Sequence, residues 1–270
     1  MNLDTALISK AIAASPLPEY DASDARLLVE RLIEAYLDDD RKQFAVTGIE
    51  QRVAVPWSSI EEPIESRGVI DLEGVFTSGK YEGRRFVIDY KTHRGPLESR
   101  YIRSQIEGWQ WRIYAAMRDA SVFLFRMASR EQPIVKQVAI EVPSSNSQDV
   151  QEFLASMSHI VGPLVTMQTP VWPRTGLLNG SCHKWNETCR FYKDCTSTPP
   201  RQALSASQAA LSYSSMQKLA RCWELFRRSR LLSKDDDQGN DDTRFGQAVH
   251  RGMAEAYRQA FLNPGEETKT

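Results

Sequence analysis

Gly68-Val-Ile-Asp-Leu-Glu-Gly-Val-Phe76, a polar turn, and then Arg84-Arg-Phe-Val-Ile-Asp-Tyr-Lys-Thr92 decide how this chain is read. Two β-branched runs flank Ser78–Gly83, which carries glycines: the pattern of a β-hairpin. Side chains alternate faces along a strand. Val87, Asp89 and Lys91 therefore share one face, and Phe86, Ile88 and Tyr90 the other. On the partner strand Val69, Asp71 and Glu73 lie opposite Ile70 and Leu72. In a suitable register Asp71, Asp89 and Lys91 converge. Two carboxylates with backbone carbonyls make a hard oxygen site suited to Mg²⁺ or Mn²⁺. A lysine beside them can orient a water or steady charge on a phosphate. This is a layout for metal-dependent phosphodiester hydrolysis. A lone Asp-x-Lys is more often a wet cross-strand ion pair, so the rest of the chain has to decide.

At 270 residues the chain can bury a sizeable core. A hydrophobic content of 41% and a charged content of 26% are those of a soluble globular protein. The net charge of −1 excludes a global basic field, so any nucleic-acid contact must rest on local patches. No apolar run approaches the roughly 18–20 residues that span a membrane. Met1–Ser15 lacks a basic leader and carries Asp4, which points to the cytoplasm. In that compartment four cysteines read as metal ligands or reduced thiols.

Residues 1–20 are weakly patterned. Asp21 or Ser23 caps a helix expected to end near Leu37, before the acidic run Asp38–Asp40. Phe44–Val55 reads as a strand containing Glu50, and residues 56–67 as a loop. Tyr101–Met117 reads as one helix with Ile102, Ile106, Trp109, Ile113 and Ala116 on a stripe. Gln110 and Tyr114, four apart, share a face of it. Arg100, Arg103 and Arg112 make the region basic; a solvated helix face is the equal alternative. Ser121–Met127 and Ile134–Val142 read as strands, and a helix follows from Ser147 through Val161.

Pro170–Pro200 holds Cys182, Cys189 and Cys195 at C-x6-C-x5-C spacing, with Trp185, Phe191 and Tyr192 between them. Zinc and a 4Fe–4S cluster each want four ligands, and Cys222 is the remaining cysteine. Ser212 caps a helix reaching about Leu232, with Lys218, Arg221 and Arg228 as a basic stripe. The last helix, Phe245–Phe261, contains Gly246-Gln-Ala-Val-His250.

Together these pieces resemble the RecB-like branch of the PD-(D/E)XK nuclease superfamily. The closest likeness is to its iron–sulfur members: CRISPR adaptation exonucleases, AddAB-type nuclease domains and phage exonucleases. The matching residues are Gly68-Val-Ile-Asp71, Val87-Ile-Asp-Tyr-Lys-Thr92, Gln110-x3-Tyr114, Cys182 with Cys189–Cys195, Leu211-Ser-Tyr-Ser-Ser with Cys222, and Phe245-Gly-x-x-Val-His250. The resemblance implies an α/β fold with a restriction-endonuclease-like core: a central mixed sheet flanked by helices, with a cysteine cluster. It implies that Asp71, Asp89 and His250 are metal ligands with the Tyr90 carbonyl nearby. Lys91 would be the catalytic lysine, with Gln110 and Tyr114 supporting the site. Cys182, Cys189, Cys195 and Cys222 would hold a 4Fe–4S cluster, zinc being the alternative. Glu50 stands where such families often carry a glutamate.

The implied partner is DNA, at ends or as single strands, alongside a helicase or a CRISPR or recombination protein. The order departs from the family's. The Ser-Tyr-Ser and Gly-x-x-x-His helices come last here, which points to one circularly permuted domain. Residues 1–198 would carry the sheet, the hairpin and three cysteines, and 199–270 would supply Cys222 and His250. A fragment straddling two copies is the competing account. The first cysteine gap is six, where the family more often has two. A silent nucleic-acid-binding or interaction module is the alternative to an enzyme.

Overall fold

The hairpin forms because its turn has the residues it needs. Gly79 and Gly83 take φ of +83° and +76°, a region L side chains rarely adopt. Around it a computed structural model describes residues 3–15, 17–56, 65–108, 110–142, 182–184, 187–189, 191–197 and 241–262, with single residues at 152, 155, 218, 221 and 222. The described chain falls into two compact units. One comprises Met1–Arg52, Val69–Ser147 and Gly239–Thr270; the other comprises Val53–Gly68 and Gln148–Gln238.

The first unit is built on a five-stranded sheet of order β1-β2-β3-β4-β5. The strands are β1 (Phe44–Pro56), β2 (Glu65–Phe76), β3 (Arg85–His93), β4 (Val122–Ser129) and β5 (Val135–Glu141). β2 and β3 pair antiparallel with Leu72 opposite Ile88 and Gly74 opposite Phe86. β3 and β4 run parallel, with Asp89 opposite Phe125 and Lys91 opposite Met127. β4 and β5 are antiparallel. A parallel neighbour requires a crossover, supplied by α3 (Ser99–Ile106) and α4 (Gln110–Arg118). Every residue of β4 is buried, as a strand covered on both faces should be.

Three helices cover one face: α1 (Thr5–Ala13), α2 (Glu19–Gln43) and a last helix running Asp241–Tyr257. Phe86, Ile88 and Tyr90 of β3 pack there with Leu28, Leu32, Phe245, Val249 and Met253. Val87 and Asp89 therefore point to the opposite face. The mixed sheet flanked by helices is the architecture expected.

Four local readings need correction. Residues 1–20 contain a helix, capped by the Asp4 carboxylate on the amides of Ala6 and Leu7. The second helix starts at Glu19 and runs through Asp38–Asp40 to Gln43. It continues because Asp40 is not a solvated charge. Asp40 is buried, with its oxygens 2.5 and 2.6 Å from the Arg126 guanidinium, and it also accepts a hydrogen bond from the Tyr257 hydroxyl. The helix expected over Tyr101–Met117 is two, α3 and α4. The Trp111 indole N–H donates to Ile106 O at 2.8 Å and Arg112 to Gly108 O at 3.1 Å, so side chains satisfy carbonyls that a continuous helix would bond internally. The last α-helix ends at Tyr257 and continues as a π-turn over Arg258–Leu262.

The helices read over 147–161 and 212–232 lie, single residues apart, outside the described residues, as do Trp109, Trp185 and Arg228. In the second unit, short strands β6 (His183–Lys184) and β7 (Glu187–Thr188) pair antiparallel, followed by α5 (Tyr192–Ser197). The last helix is accordingly α6. No described helix is long and apolar enough to cross a membrane.

Candidate active site

The site begins where the hairpin ladder opens. Pairing runs from Val75–Arg85 to Leu72–Ile88. Beyond it the Tyr90 amide donates 2.8 Å to Asp71 Oδ2. The Asp71 carboxylate thus takes the place of a backbone acceptor and is drawn inside, 8% exposed. Asp89, one residue before Tyr90, is 3% exposed on the face away from the apolar core. Burying two carboxylates so close together is costly without positive partners.

The positive partners are Lys91 and His250, and the neutral Gln110 amide bridges Lys91 to Asp89. Lys91 Nζ lies 2.7 Å from Asp89 Oδ2 and donates 2.7 Å to Gln110 Oε1. Gln110 Nε2 donates 2.7 Å to Asp89 Oδ1. The three groups close a ring of carboxylate, ammonium and amide. Asp89 Oδ2 is in ionic contact with Lys91 yet accepts no aligned hydrogen bond, so it retains acceptor capacity. Gln110 opens α4, and Glu73 anchors that helix further on through Arg118 at 2.8 and 2.9 Å. Tyr114, one turn after Gln110, is buried at 7% exposure. Burial, then the Asp89 charge, pushes its hydroxyl well above the usual range, against pulls from Gln110 and the Val69 backbone.

His250 arrives on α6. Its Nδ1 lies 3.1 Å from Asp71 Oδ1, and its Nε2 lies 2.8 Å from the Tyr90 carbonyl. Gly246, one turn earlier, faces Thr92 of β3, where a Cβ would make ordinary contact with Thr92 Oγ1 at 3.4 Å. With oxygen acceptors on both ring nitrogens, the imidazole favours its doubly protonated form. Burial opposes that charge, but Asp71 and then Asp89 outweigh it, and the His250 pKa is pushed up to about 9. The two carboxylates diverge. Burial raises both, but at Asp71 the His250 charge and hydrogen bonds win and hold it below the ordinary range. At Asp89 burial, reinforced by Asp71, outweighs Lys91 and leaves it raised. Such divergence is the usual mark of an acid–base site.

Asp71, Asp89, Lys91, Tyr90, Gln110, Tyr114 and His250 are thus brought together. Glu50 goes elsewhere. It adopts φ of +48° within β1, and its carboxylate lies 3.0 Å from Arg258 Nη2. Arg100 and Arg103 are exposed on α3, whereas Arg112 is tied to Gly108 and stacks over the Trp111 ring at 4.3 Å. Two neighbours escaped the sequence reading. Tyr101 is close enough to feel the Asp89 charge, and His93 stacks on it with ring centres 4.0 Å apart. The signal for His93 was present, because the alternation that links Asp89 to Lys91 continues to it.

A divalent cation fits this donor set by its chemistry. Carboxylate, carbonyl and imidazole donors are neighbours here, and the positive charge beside the carboxylates is held by the imidazole and an ammonium. Among the described residues no group of three or more His, Cys, Asp or Glu side chains is spread to enclose an ion. The internal pairing accounts for this, since each donor is drawn onto a neighbour instead.

In the second unit the four cysteines are free thiols, with Cys182, Cys195 and Cys222 buried. The Cys189 amide donates 2.7 Å to Cys182 O across the β6–β7 turn. Burial, then Cys222 and Cys189, raise the Cys182 thiol, so both lie within electrostatic reach of Cys182. Their thiols do not close a ligand set.

A model of the PD-(D/E)XK nuclease superfamily matches residues 2–195 of this chain. The chain belongs to that superfamily. A mixed sheet flanked by helices is consistent with a PD-(D/E)XK fold, and the family assigns the chain to the nucleases in general. No curated protein matches. Among solved structures the chain is similar to the crystal structure of SSO0001, at 16% identity and a TM-score of 0.32 over 49% of this chain. The match spans 58% of that chain's length.

Proposed function

We propose that this PD-(D/E)XK protein is a divalent-metal-dependent deoxyribonuclease that degrades DNA from ends or as single strands. The observation that carries the reading is His250 meeting Asp71 and the Tyr90 carbonyl beside the Asp89–Lys91–Gln110 ring. Asp71, Asp89, His250 and the Tyr90 carbonyl would hold Mg²⁺ or Mn²⁺. When bound, the ion supplies charge shielding for the phosphate and a lowered pKa for a coordinated water. Lys91 keeps a positive charge beside Asp89, where it can orient the attacking water or offset charge developing on the phosphoryl oxygens. Gln110 holds the ammonium and carboxylate in one geometry, which limits reorganisation during reaction. Tyr114, buried one turn after Gln110 and stacked on Phe123 of β4, would support the site from α4.

The test is cleavage of linear and covalently closed circular DNA with Mn²⁺, using wild type and Lys91→Ala. Loss of linear DNA alone, abolished by Lys91→Ala, supports an exonuclease. Equal inertness of the two proteins supports the silent binding module instead.

For the second unit we propose a structural 4Fe–4S cluster on Cys182, Cys189, Cys195 and Cys222. Four free thiols, three of them buried, support it. Iron and sulfide in anaerobically purified protein test it; zinc alone would replace it. We further propose that the motif order reflects circular permutation. The Asp4 amide donates 2.8 Å to Gln259 Oε1, so segments from the two ends of the sequence meet in space. A helicase or recombination partner remains part of this proposal, tested by co-purification.

A further inference from the structure

Asp89, Lys91 and His93 stand on one face of β3, each about 7 Å beyond the last. Asp89 and Lys91 belong to the candidate site; His93 is used by nothing described so far. Its imidazole lies face to face with the Tyr101 ring, 4.0 Å between centres and 17° between planes. Both side chains are half-buried, so the pair keeps an accessible edge or face.

The segment that carries the pair is held unusually firmly for a connection. The Arg130 amide donates to His93 O at 2.8 Å. The Ser129 hydroxyl donates to Gly95 O at 2.9 Å, and Lys136 Nζ to Leu97 O at 3.0 Å. Leu97 is buried at 4% exposure. The pair therefore joins the end of β3 to α3 across a connection whose backbone is held in place, which lowers the ordering cost of binding. Arg94, Arg100 and Arg103 are exposed on the same loop and on α3, and outnumber the exposed Glu98 and Glu107 that flank the helix. An aromatic stack beside a basic track is the chemistry that receives unpaired bases.

We propose that the His93–Tyr101 stack is a platform for one unpaired nucleobase next to the scissile phosphate, with Arg94, Arg100 and Arg103 following the sugar–phosphate backbone. The inference rests on the nuclease reading for the position of that phosphate, and it makes the substrate single-stranded DNA at the point of cleavage. A paired base cannot stack there without leaving its duplex.

The experiment uses the full chain with Mn²⁺ and single-stranded oligonucleotides carrying one abasic site, moved along the strand, with binding followed in parallel by fluorescence anisotropy. One abasic position raises KM by about tenfold in wild type, and that penalty disappears in Tyr101→Ala, which already shows the raised KM on intact DNA. Tyr101→Phe keeps the wild-type pattern; His93→Ala repeats the Tyr101→Ala pattern and serves if that variant does not fold. A KM insensitive to abasic position in an actively cleaving wild type overturns the platform while leaving the nuclease reading intact. Position-dependent binding without any cleavage overturns the nuclease reading while leaving the platform. Wild type that neither binds nor cleaves overturns both.

Discussion

His250 Nδ1 lies 3.1 Å from Asp71 Oδ1, and the other ring nitrogen lies 2.8 Å from the Tyr90 carbonyl, whose own amide donates to Asp71. One carboxylate therefore ties the helix imidazole to the strand it approaches. Removing the ring leaves Asp71 buried with its main positive partner gone. His250→Ala should lower cleavage with Mn²⁺ by roughly 100-fold or more, comparable to loss of a group stabilising developing charge. Steady-state kcat together with a Mn²⁺ titration measures it. An unchanged metal dependence would remove His250 from the ligand set.

On the proposed metal role, the same imidazole would make metal binding and stability depend on pH in opposite ways. Its folded pKa of about 9 lies above the ordinary 6.5. A raised value means that its contribution is full below 6.5 and is lost as pH rises through about 9. The melting temperature of the metal-free protein should fall across that window, and should fall less in His250→Ala. Mn²⁺ affinity should instead rise with pH over the same range, because coordination needs the deprotonated ring. Calorimetric titrations at stepped pH check this.

Two tyrosines set an alkaline limit. Burial is the first cause at each, and Tyr90 and Tyr101 are both pushed up to about 12 from an ordinary 10. Their stabilising contribution is complete below pH 10 and disappears as pH rises through 12. The tyrosinate absorbance of these residues should appear with unfolding and not before it, read by parallel absorbance and circular dichroism titrations.

Arg126 is the largest wholly buried side chain among the described residues and is neutralised by Asp40. It also bonds the Tyr257 hydroxyl at 2.8 Å and lies 4.3 Å over the Tyr36 ring. Asp40→Ala strands that charge and should cost about 3–5 kcal/mol in urea unfolding, whereas a paired Asp40→Leu/Arg126→Met change should recover most of it.

Gly252 lies where α6 packs against α1 and α2. A Cβ there would meet Val29 Cγ2 at 2.8 Å and Ile12 Cγ1 at 2.9 Å. Gly252→Ala should destabilise the protein by about 1–3 kcal/mol, despite the better helix propensity of alanine. A thermal melt decides it.

Local pattern alone determined the hairpin, the strand faces that put Asp71 and Asp89 with Lys91, and the helical spacing of Gln110 and Tyr114, because periods of 2 and 3.6 are properties of the backbone. It could not tell that Asp40 is a buried counter-ion and not a helix stop, since that depends on Arg126 arriving from β4. Nor could it place the break between α3 and α4, where the Trp111 and Arg112 side chains take over backbone acceptors. Glu50 looked eligible for the site, but a positive φ and Arg258 claim it. The meeting of His250 with Asp71 was decided by tertiary structure. The β2–β3 ladder opens at Tyr90, and α6, packed against that face of the sheet, brings its imidazole to the gap. Contacts between segments far apart in the chain follow from packing, which no local period encodes.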